Sequence, residues 1–188
     1  MGTRSDIIVQ RADGKWARVY CHWDGYLEHN GRILFDHYTS QRQAEELVAL
    51  GDLSALGEMI GEKHPFDAPQ MTTGNGNVSN GYKDYRAKYG SWCLAYHRDR
   101  GESWDEVQPR IGDSLQAVWP EEDSWTEFAY VWQNGKWWVG DPDEGSQCLV
   151  DLGEALLGNQ PVTPAVKAFG AVIGQHHASS PAKDHGWN

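Results

Sequence analysis

The stretch Tyr20–Tyr26 (YCHWDGY) gathers a thiol, an imidazole and a carboxylate at the end of a predicted strand. These are the residue types of a cysteine nucleophile system, in which a nearby imidazole takes the thiol proton and an acid orients the imidazole. Neighbouring side chains on a strand point to opposite faces, so Cys21 and His22 cannot pair without a bulge. A pocket here would therefore need a second histidine that the fold brings in. The candidate pocket residues are Cys21, His22, Asp24, His37 and His97.

In the competing interpretation, the same stretch has a structural role and packs against the hydrophobic core. Alternation along the strand places Cys21 and Trp23 on one face, towards a core, and Tyr20 and His22 on the other. The sequence leaves both interpretations open.

Neither a metal nor another cofactor is predicted. The three cysteines are odd in number and form no C-x-x-C pair, which argues against a disulfide framework and a cysteine-rich zinc site. His176, His177 and His185 belong to a C-terminal segment that we predict to be frayed and therefore not preorganised for a metal, and Asp141–Gly145 lacks the distal glutamate of a calcium loop. We expect Cys21, Cys93 and Cys148 to be reduced and mostly buried.

Charge is distributed unevenly along the chain. The first 100 residues carry 13 acidic and 12 basic side chains, whereas residues 101–188 carry 14 acidic and only 4 basic ones. Nucleic-acid binding depends on clustered Lys and Arg that neutralise phosphates, so this distribution argues against a direct nucleic-acid binder. It suits a protein that presents negative charge to a basic partner, with simple solubility as the alternative.

The acidic segment Trp119–Glu127 (WPEEDSWTE) sets three consecutive acids and a fourth among aromatic residues, immediately before a predicted strand. Aromatic anchors beside complementary charges are typical of surfaces that bind a partner protein. A solvated loop with two anchoring tryptophans is the alternative, and the sequence does not decide between them. The candidate partner-binding residues are Glu121, Glu122, Asp123, Glu127, Asp141, Asp143 and Glu144.

Two hairpin signals frame the predicted fold. Asp13-Gly14 and Asn134-Gly135 lie between apolar or aromatic-rich runs, and both dipeptides tolerate the positive φ of tight hairpin turns. The predicted strands are Asp6–Gln10, Lys15–Trp23, Thr126–Trp132 and Trp137–Gly140.

Helices are predicted between and after the hairpins. Ser40 and Gln43 match a capping box, in which a hydroxyl and an amide satisfy open backbone donors, and Gly51 would end this helix. Ser91–Arg100 is compatible with either a strand or a helix. The predicted helical segments are Asn30–Tyr38, Gln41–Leu50, Asp52–Ile60, Asp151–Leu157 and Pro164–Gly174.

These elements predict an α+β domain, an antiparallel sheet built from two or more hairpins with helices packed on one face. The predicted domain spans 1–177, with a loop-rich insertion at about 61–90 and a frayed tail at 178–188. No run reaches the roughly 18 apolar residues of a membrane span, and residues 1–10 lack the pattern of a signal peptide. We therefore expect no membrane association and a location in the cytoplasm of the cell that makes the protein.

Several segments together resemble a group of small proteins encoded by bacteriophages and prophages. They are Gly2–Ser5, the YCHWDGY stretch, His37-Tyr38, Leu50–Gly57 (LGDLSALG) and Tyr96–Glu102 (YHRDRGE). Leu27 stands where that group usually has a proline. The resemblance covers roughly residues 1–57 and the YHRDRGE segment, and it implies a phage accessory protein without assigning a catalytic residue.

Small accessory proteins of that origin recur as inhibitors of host defence, including CRISPR effector complexes. Together with the acidic half, the resemblance implies a non-enzymatic anti-CRISPR protein in the cytoplasm of the bacterial host. Its partner would be a basic nucleic-acid-binding surface of the effector complex, on which acidic residues take the place of DNA. A ligand-binding protein or enzyme with a pocket near Cys21, His22 and Asp24 is the alternative, and a structural phage protein is the third.

Overall fold

A computed structural model describes residues 2–65, 87–121, 124–159 and 162, and in this part of the chain eight strands form one mixed sheet. The strands are β1 (Ser5–Gln10), β2 (Trp16–Cys21), β3 (Leu53–Ala55), β4 (Leu94–Ala95), β5 (Arg110–Gly112), β6 (Phe128–Gln133), β7 (Lys136–Gly140) and β8 (Val150–Asp151). The α-helices that surround the sheet include α1 (Arg32–His37), α2 (Gln41–Val48), α3 (Tyr96–Arg100), α4 (Trp104–Val107), α5 (Leu115–Val118) and α6 (Leu152–Leu156).

The sheet runs in the order β4-β3-β2-β1-β6-β7-β8, and β5 pairs with the first half of β2. β1 and β2 form one antiparallel hairpin and β6 and β7 another, as the sequence predicts. The two hairpins are joined by a parallel pairing of β1 with β6, in which Ser5 lies beside Phe128 and Val9 beside Trp132. β2 and β3 are also parallel. The sheet is therefore mixed, although most of its pairings are antiparallel.

Both faces of the sheet are covered. On one face α1, α2 and α6 bury Leu34, Leu47 and Leu152 in a large core cluster that includes Tyr130 of β6. Alternate residues of the strands point to the opposite face, here named the far face, where α5 closes a smaller cluster with Val118. The α+β class is confirmed. The prediction of helices on one face is wrong, because a helix packs on each.

The hairpin turns form where the sequence predicts them. Asn134 and Gly135 both adopt the left-handed backbone conformation, with φ of 52° and 77°, that a tight two-residue turn requires. In the first hairpin only Gly14 does so, at φ 83°. There the amide of Arg11 bonds the carbonyl of Lys15, which closes a wider loop.

Capping side chains set the ends of the helices. Ser40 Oγ accepts a hydrogen bond from the amide of Gln43 at the start of α2, and Gln43 Oε1 accepts one from the amide of Thr39, so both side chains satisfy backbone donors as predicted. α2 ends at Val48, and Gly51 follows in the left-handed conformation at φ 76°. Asp151 caps α6, as the predicted helix over 151–157 requires.

Two predicted segments have a different structure. Asp52–Ile60, predicted as a helical turn, contains β3 because Leu53 pairs with Cys21 and with Ala95. Ser91–Arg100, predicted as either a strand or a helix, contains both, because β4 leads directly into α3. These elements are too short to show a period, so pairing with distant parts of the chain decides their structure.

Several predicted features lie outside the described residues. They are the helix Pro164–Gly174, the tail 178–188 and most of the insertion at 61–90. The domain boundary at 177 therefore stays a prediction. Among the helices that the structure describes, none is both long and apolar enough to span a bilayer.

Candidate functional site

Cys21 lies at the end of β2, and its side chain is fully buried in the large core cluster. Burial raises the pKa of the thiol to about 12, although a hydrogen bond from Asn30 opposes the shift. A thiol with this pKa stays protonated at neutral pH and is a poor nucleophile. Cys21 is therefore a core residue, as the packing interpretation predicts, whereas Trp23, which that interpretation also places towards the core, is exposed.

Asn30 holds the turn after β2 in place from the inside. Its side chain is fully buried, and its amide nitrogen lies 3.1 Å from Ser5 Oγ, 3.4 Å from Cys21 Sγ and 3.2 Å from the carbonyl oxygen of Trp23. Asn30 belongs to a π-helical turn, Leu27–Gly31, that runs into α1. One side chain thus connects β1, the end of β2 and the first helix.

The second hairpin supports the same turn. Tyr130 of β6 donates a hydrogen bond of 2.8 Å to the carbonyl of Gly25. A side chain at Gly25 has no room, because its Cβ would lie 2.6 Å from the carbonyl carbon of Arg4. Asp24 takes the left-handed conformation at φ 57°, and its carbonyl accepts a bond from the amide of Asn30. Asp24 therefore shapes the turn.

His22, Tyr20 and Arg4 meet on the far face. Tyr20 Oη accepts a hydrogen bond of 3.1 Å from Arg4 Nε and lies 2.9 Å from His22 Nδ1. Burial raises the pKa of Tyr20 to about 12, so its hydroxyl keeps its proton at neutral pH. Strand alternation thus pairs His22 with Tyr20, and it separates His22 from Cys21 as predicted.

The two further histidines of the predicted pocket are exposed and lie elsewhere. His37 is the last residue of α1, and its carbonyl accepts a bond from the side chain of Gln43. His97 of α3 contacts the carbonyl of Glu102 through Nδ1 and the ring of Trp104 edge-on. Within the described parts of the chain, no hydrogen bond or ring contact joins either histidine to Cys21. The predicted pocket is not assembled.

The different burial of the three thiols predicts their reactivity. Cys21 and Cys93 are buried, Cys148 is exposed, and burial raises the pKa of Cys93 as well. We expect Ellman's reagent to titrate only Cys148 quickly in the native protein and all three thiols after denaturation. Cys148→Ser should remove the fast native reaction. A fast thiol that survives this substitution would contradict the burial of Cys21 or of Cys93.

A buried acid lies on the far face beside the Tyr20–His22 pair. Burial raises the pKa of Asp6 to about 6, although Arg18 lowers it. The carboxyl oxygen of Asp6 and Arg18 Nε are 3.9 Å apart, so the charges attract each other without a hydrogen bond. Asp52 Oδ1 accepts bonds from the amide of Tyr20 at 2.8 Å and from Arg110 Nη1 at 3.1 Å. The first contact links β1 to β2, and the bonds of Asp52 link the segment before β3 to β2 and β5.

Two acidic loops meet at the far face. Trp119, predicted as a surface anchor, is buried in the smaller core cluster, and its indole Nε1 donates a bond of 3.0 Å to the carbonyl of Pro142. This bond places the loop that carries Glu121 beside the turn that carries Asp143 and Glu144. All three acids are exposed. They are named the acidic edge below.

The other predicted partner-binding residues do not all belong to this surface. Asp141 is buried, and its carboxylate accepts a bond from the amide of Asp143 to cap the 3-10 turn Pro142–Glu144. Its role as a surface charge is therefore wrong, because the carboxylate shapes the turn. Glu127 is half-buried directly before β6. Glu122 and Asp123 lie outside the described residues.

Trp125 is the exposed aromatic residue of the acidic segment. Its side chain is 69% exposed, whereas Trp119 in the same segment is buried. Large aromatic side chains are enriched at the centres of protein interfaces. Of the two predicted anchors, only Trp125 is therefore exposed, and Trp119 instead holds the two loops together.

In the parts of the chain that the structure describes, no group of three or more His, Cys, Asp or Glu residues could hold a metal ion. No family model, curated protein or solved structure matches the chain. Its function is therefore inferred from the geometry of its own residues.

Proposed function

We propose that the protein is a non-enzymatic inhibitor that docks its acidic edge on a basic nucleic-acid-binding surface of a partner. The bond between Trp119 and Pro142 supports this most directly, because it joins two acidic loops into one exposed surface. Exposed charges of one sign act over a Debye length of about 8–10 Å and speed up encounter with a surface of opposite sign. A nucleic acid carries the same sign of charge, so it would compete for that surface.

Trp125 supplies affinity that exposed charge does not. Exposed ion pairs typically contribute at most about 1 kcal/mol each, whereas truncating a central aromatic residue of an interface often costs more than about 2 kcal/mol. With 69% of its side chain exposed beside the acids, Trp125 has a large apolar area to bury on a partner. The acidic edge would then set the orientation and Trp125 the strength of binding.

A bacterial defence complex is the partner class that we propose. CRISPR effector complexes hold nucleic acid in positively charged channels. The resemblance of the N-terminal segment to phage-encoded proteins would place the protein in the same cell. In that setting it acts as an anti-CRISPR protein in the cytoplasm of the infected bacterium. It needs no cofactor for this role and no direct contact with nucleic acid.

Matched charge variants test the proposal in cells. In bacteria with active CRISPR immunity, the wild-type protein should restore plaque formation by a targeted phage. Replacing Glu121, Asp143 and Glu144 by lysine changes the charge of the acidic edge from −3 to +3 and should abolish this effect. The control reverses three exposed acids of the other half of the chain. They are Asp36, Glu58 and Glu62.

The control variant should keep the activity, and thermal unfolding should show that both variants fold. With a purified effector complex, the wild-type protein should weaken DNA binding, and the effect should shrink as salt rises. Equal behaviour of the two charge variants would contradict a role for the acidic edge. An inhibitor that binds equally well at high salt would contradict the electrostatic mechanism.

A further inference from the structure

A groove separate from the acidic edge opens between α2 and β5, on the face that α1, α2 and α6 cover. Its volume is about 430 Å³. Ala17 and Val48 are buried beneath it, whereas Ile111 and Trp104 line it with 49% and 38% of their side chains exposed. The groove therefore offers apolar walls that a side chain from another molecule could cover.

The rim of the groove is acidic. Glu45 and Glu46 of α2 line it, and two exposed acids that do not line it, Asp105 and Glu106, follow Trp104 on α4. The carboxylate of Glu45 is held in place by the side chain of Gln41 at 2.8 Å and by a backbone amide. Neither of these neutral groups cancels its charge.

The cations near the groove are already paired. Arg11 lines the groove and lies 3.1 Å from Asp13. Arg42 lies 3.3 Å from Glu46 across one turn of α2, and this pair offsets the charge of Glu46. An occupant that brings its own cations would therefore meet uncancelled negative charge at Glu45, and the exposed acids of α4 follow directly after the lining residue Trp104.

We propose that the groove binds a partner segment in which an apolar side chain is flanked by lysine or arginine. The apolar side chain would lie between Trp104 and Ile111, and the flanking cations would lie against the acidic rim. This arrangement combines an apolar anchor with a charged rim, as in interface hot spots. A neutral apolar ligand would gain nothing from the rim, and a second copy of this chain would bring a net charge of −11 to it. The proposal does not depend on the acidic edge.

A pair of pentapeptides tests the groove. The probe is Ac-Lys-Lys-Leu-Lys-Lys-amide, and the control peptide has serine in place of leucine. In an NMR titration, the leucine peptide should shift the indole N–H of Trp104 and the methyl groups of Ile111. It should bind at least about tenfold more tightly than the serine peptide, because only leucine buries apolar area.

Two variants show whether the groove is responsible. Ile111→Ser should reduce the affinity for the leucine peptide to that for the serine peptide. Leu157→Ser, at a side chain 73% exposed and outside the groove, should leave the affinity unchanged. Equal affinity for the two peptides, or shifts confined to other residues, would overturn the proposal. So would a dimer that Ile111→Ser dissociates, or a small apolar molecule found in the groove by native mass spectrometry.

The peptide titration tests the groove independently of the proposed function of the acidic edge. The peptide titration uses the purified protein alone, and the lysine variants of the acidic edge should bind the leucine peptide with unchanged Trp104 and Ile111 shifts. A groove that fails this test leaves the plaque assay unaffected.

Discussion

Replacing Asn30 by alanine is expected to lower the free energy of unfolding by about 3 kcal/mol. The substitution removes the donor that Ser5 Oγ and the carbonyl of Trp23 share in a site without solvent access. An unsatisfied buried polar group costs about 1–3 kcal/mol, and the space left by the amide adds to this cost. Urea denaturation of the wild-type and variant proteins measures the difference.

Asn159→Ala is the matched control for this prediction. Asn159 is exposed, and its side chain donates a hydrogen bond of 2.9 Å to Glu154. Its loss should change the free energy of unfolding by less than about 0.5 kcal/mol. A loss below about 1 kcal/mol for Asn30→Ala would show that packing alone holds the turn after β2. The conformation of the Tyr20–Tyr26 stretch would then not depend on the hydrogen bonds of Asn30.

Elements whose structure depends on residues close together in the chain could be predicted from the sequence. Asn134 and Gly135 impose their turn by backbone preference, and Ser40 caps α2 through a residue three positions away. The alternation that separates Cys21 from His22 is equally local. Such features need no contact from elsewhere, so the sequence predicts them correctly.

Long-range contacts account for what the sequence did not reveal. A single asparagine inside a predicted helix gives no sign that Asn30 will bond residues on β1 and β2. Trp119 looks like an exposed anchor beside acids, but Pro142, which lies far along the chain, supplies a carbonyl for its indole. The parallel pairing of β1 with β6 joins segments more than one hundred residues apart. Tertiary packing decides each of these cases.

The same limit applies to Asp6. A polar residue in an alternating strand is usually interpreted as solvent-facing. Asp6 is buried instead, and its carboxyl interacts with Arg18 of β2 and with the side chain of Thr126. A buried carboxyl has a strong effect on stability because its ionisation is linked to folding.

The contribution of Asp6 to stability is therefore expected to fall as the pH rises from about 4 to about 7. Burial raises the pKa of Asp6 from its ordinary 3.8 to about 6. Between these values the folded protein holds a proton that the unfolded chain has released, so low pH favours the folded state. The contribution is fully present below about pH 4 and is lost as the pH passes 6. A shift of about two pKa units corresponds to roughly 3 kcal/mol.

Asp6→Asn isolates this effect, because asparagine has a similar shape and cannot ionise. The free energy of unfolding of the variant minus that of the wild type should increase by about 2.5 kcal/mol between pH 4 and pH 7. The attraction between Asp6 and Arg18 exists only where Asp6 is ionised, and it already contributes to the pKa of Asp6, so the diagnostic quantity is the change of the difference with pH. Urea denaturation at a series of pH values measures it.

Asp36→Asn, at an exposed position of α1, is the control, because it measures how the removal of one surface carboxylate changes the pH dependence of stability. A difference for Asp6→Asn that follows this control across the pH range would mean that water reaches the Asp6 carboxyl in the folded protein. A difference that shrinks with rising pH would mean that Arg18 outweighs burial and holds the carboxylate ionised. The expected increase would instead establish that β1 carries a protonatable group in the far face, close to the loops that form the acidic edge.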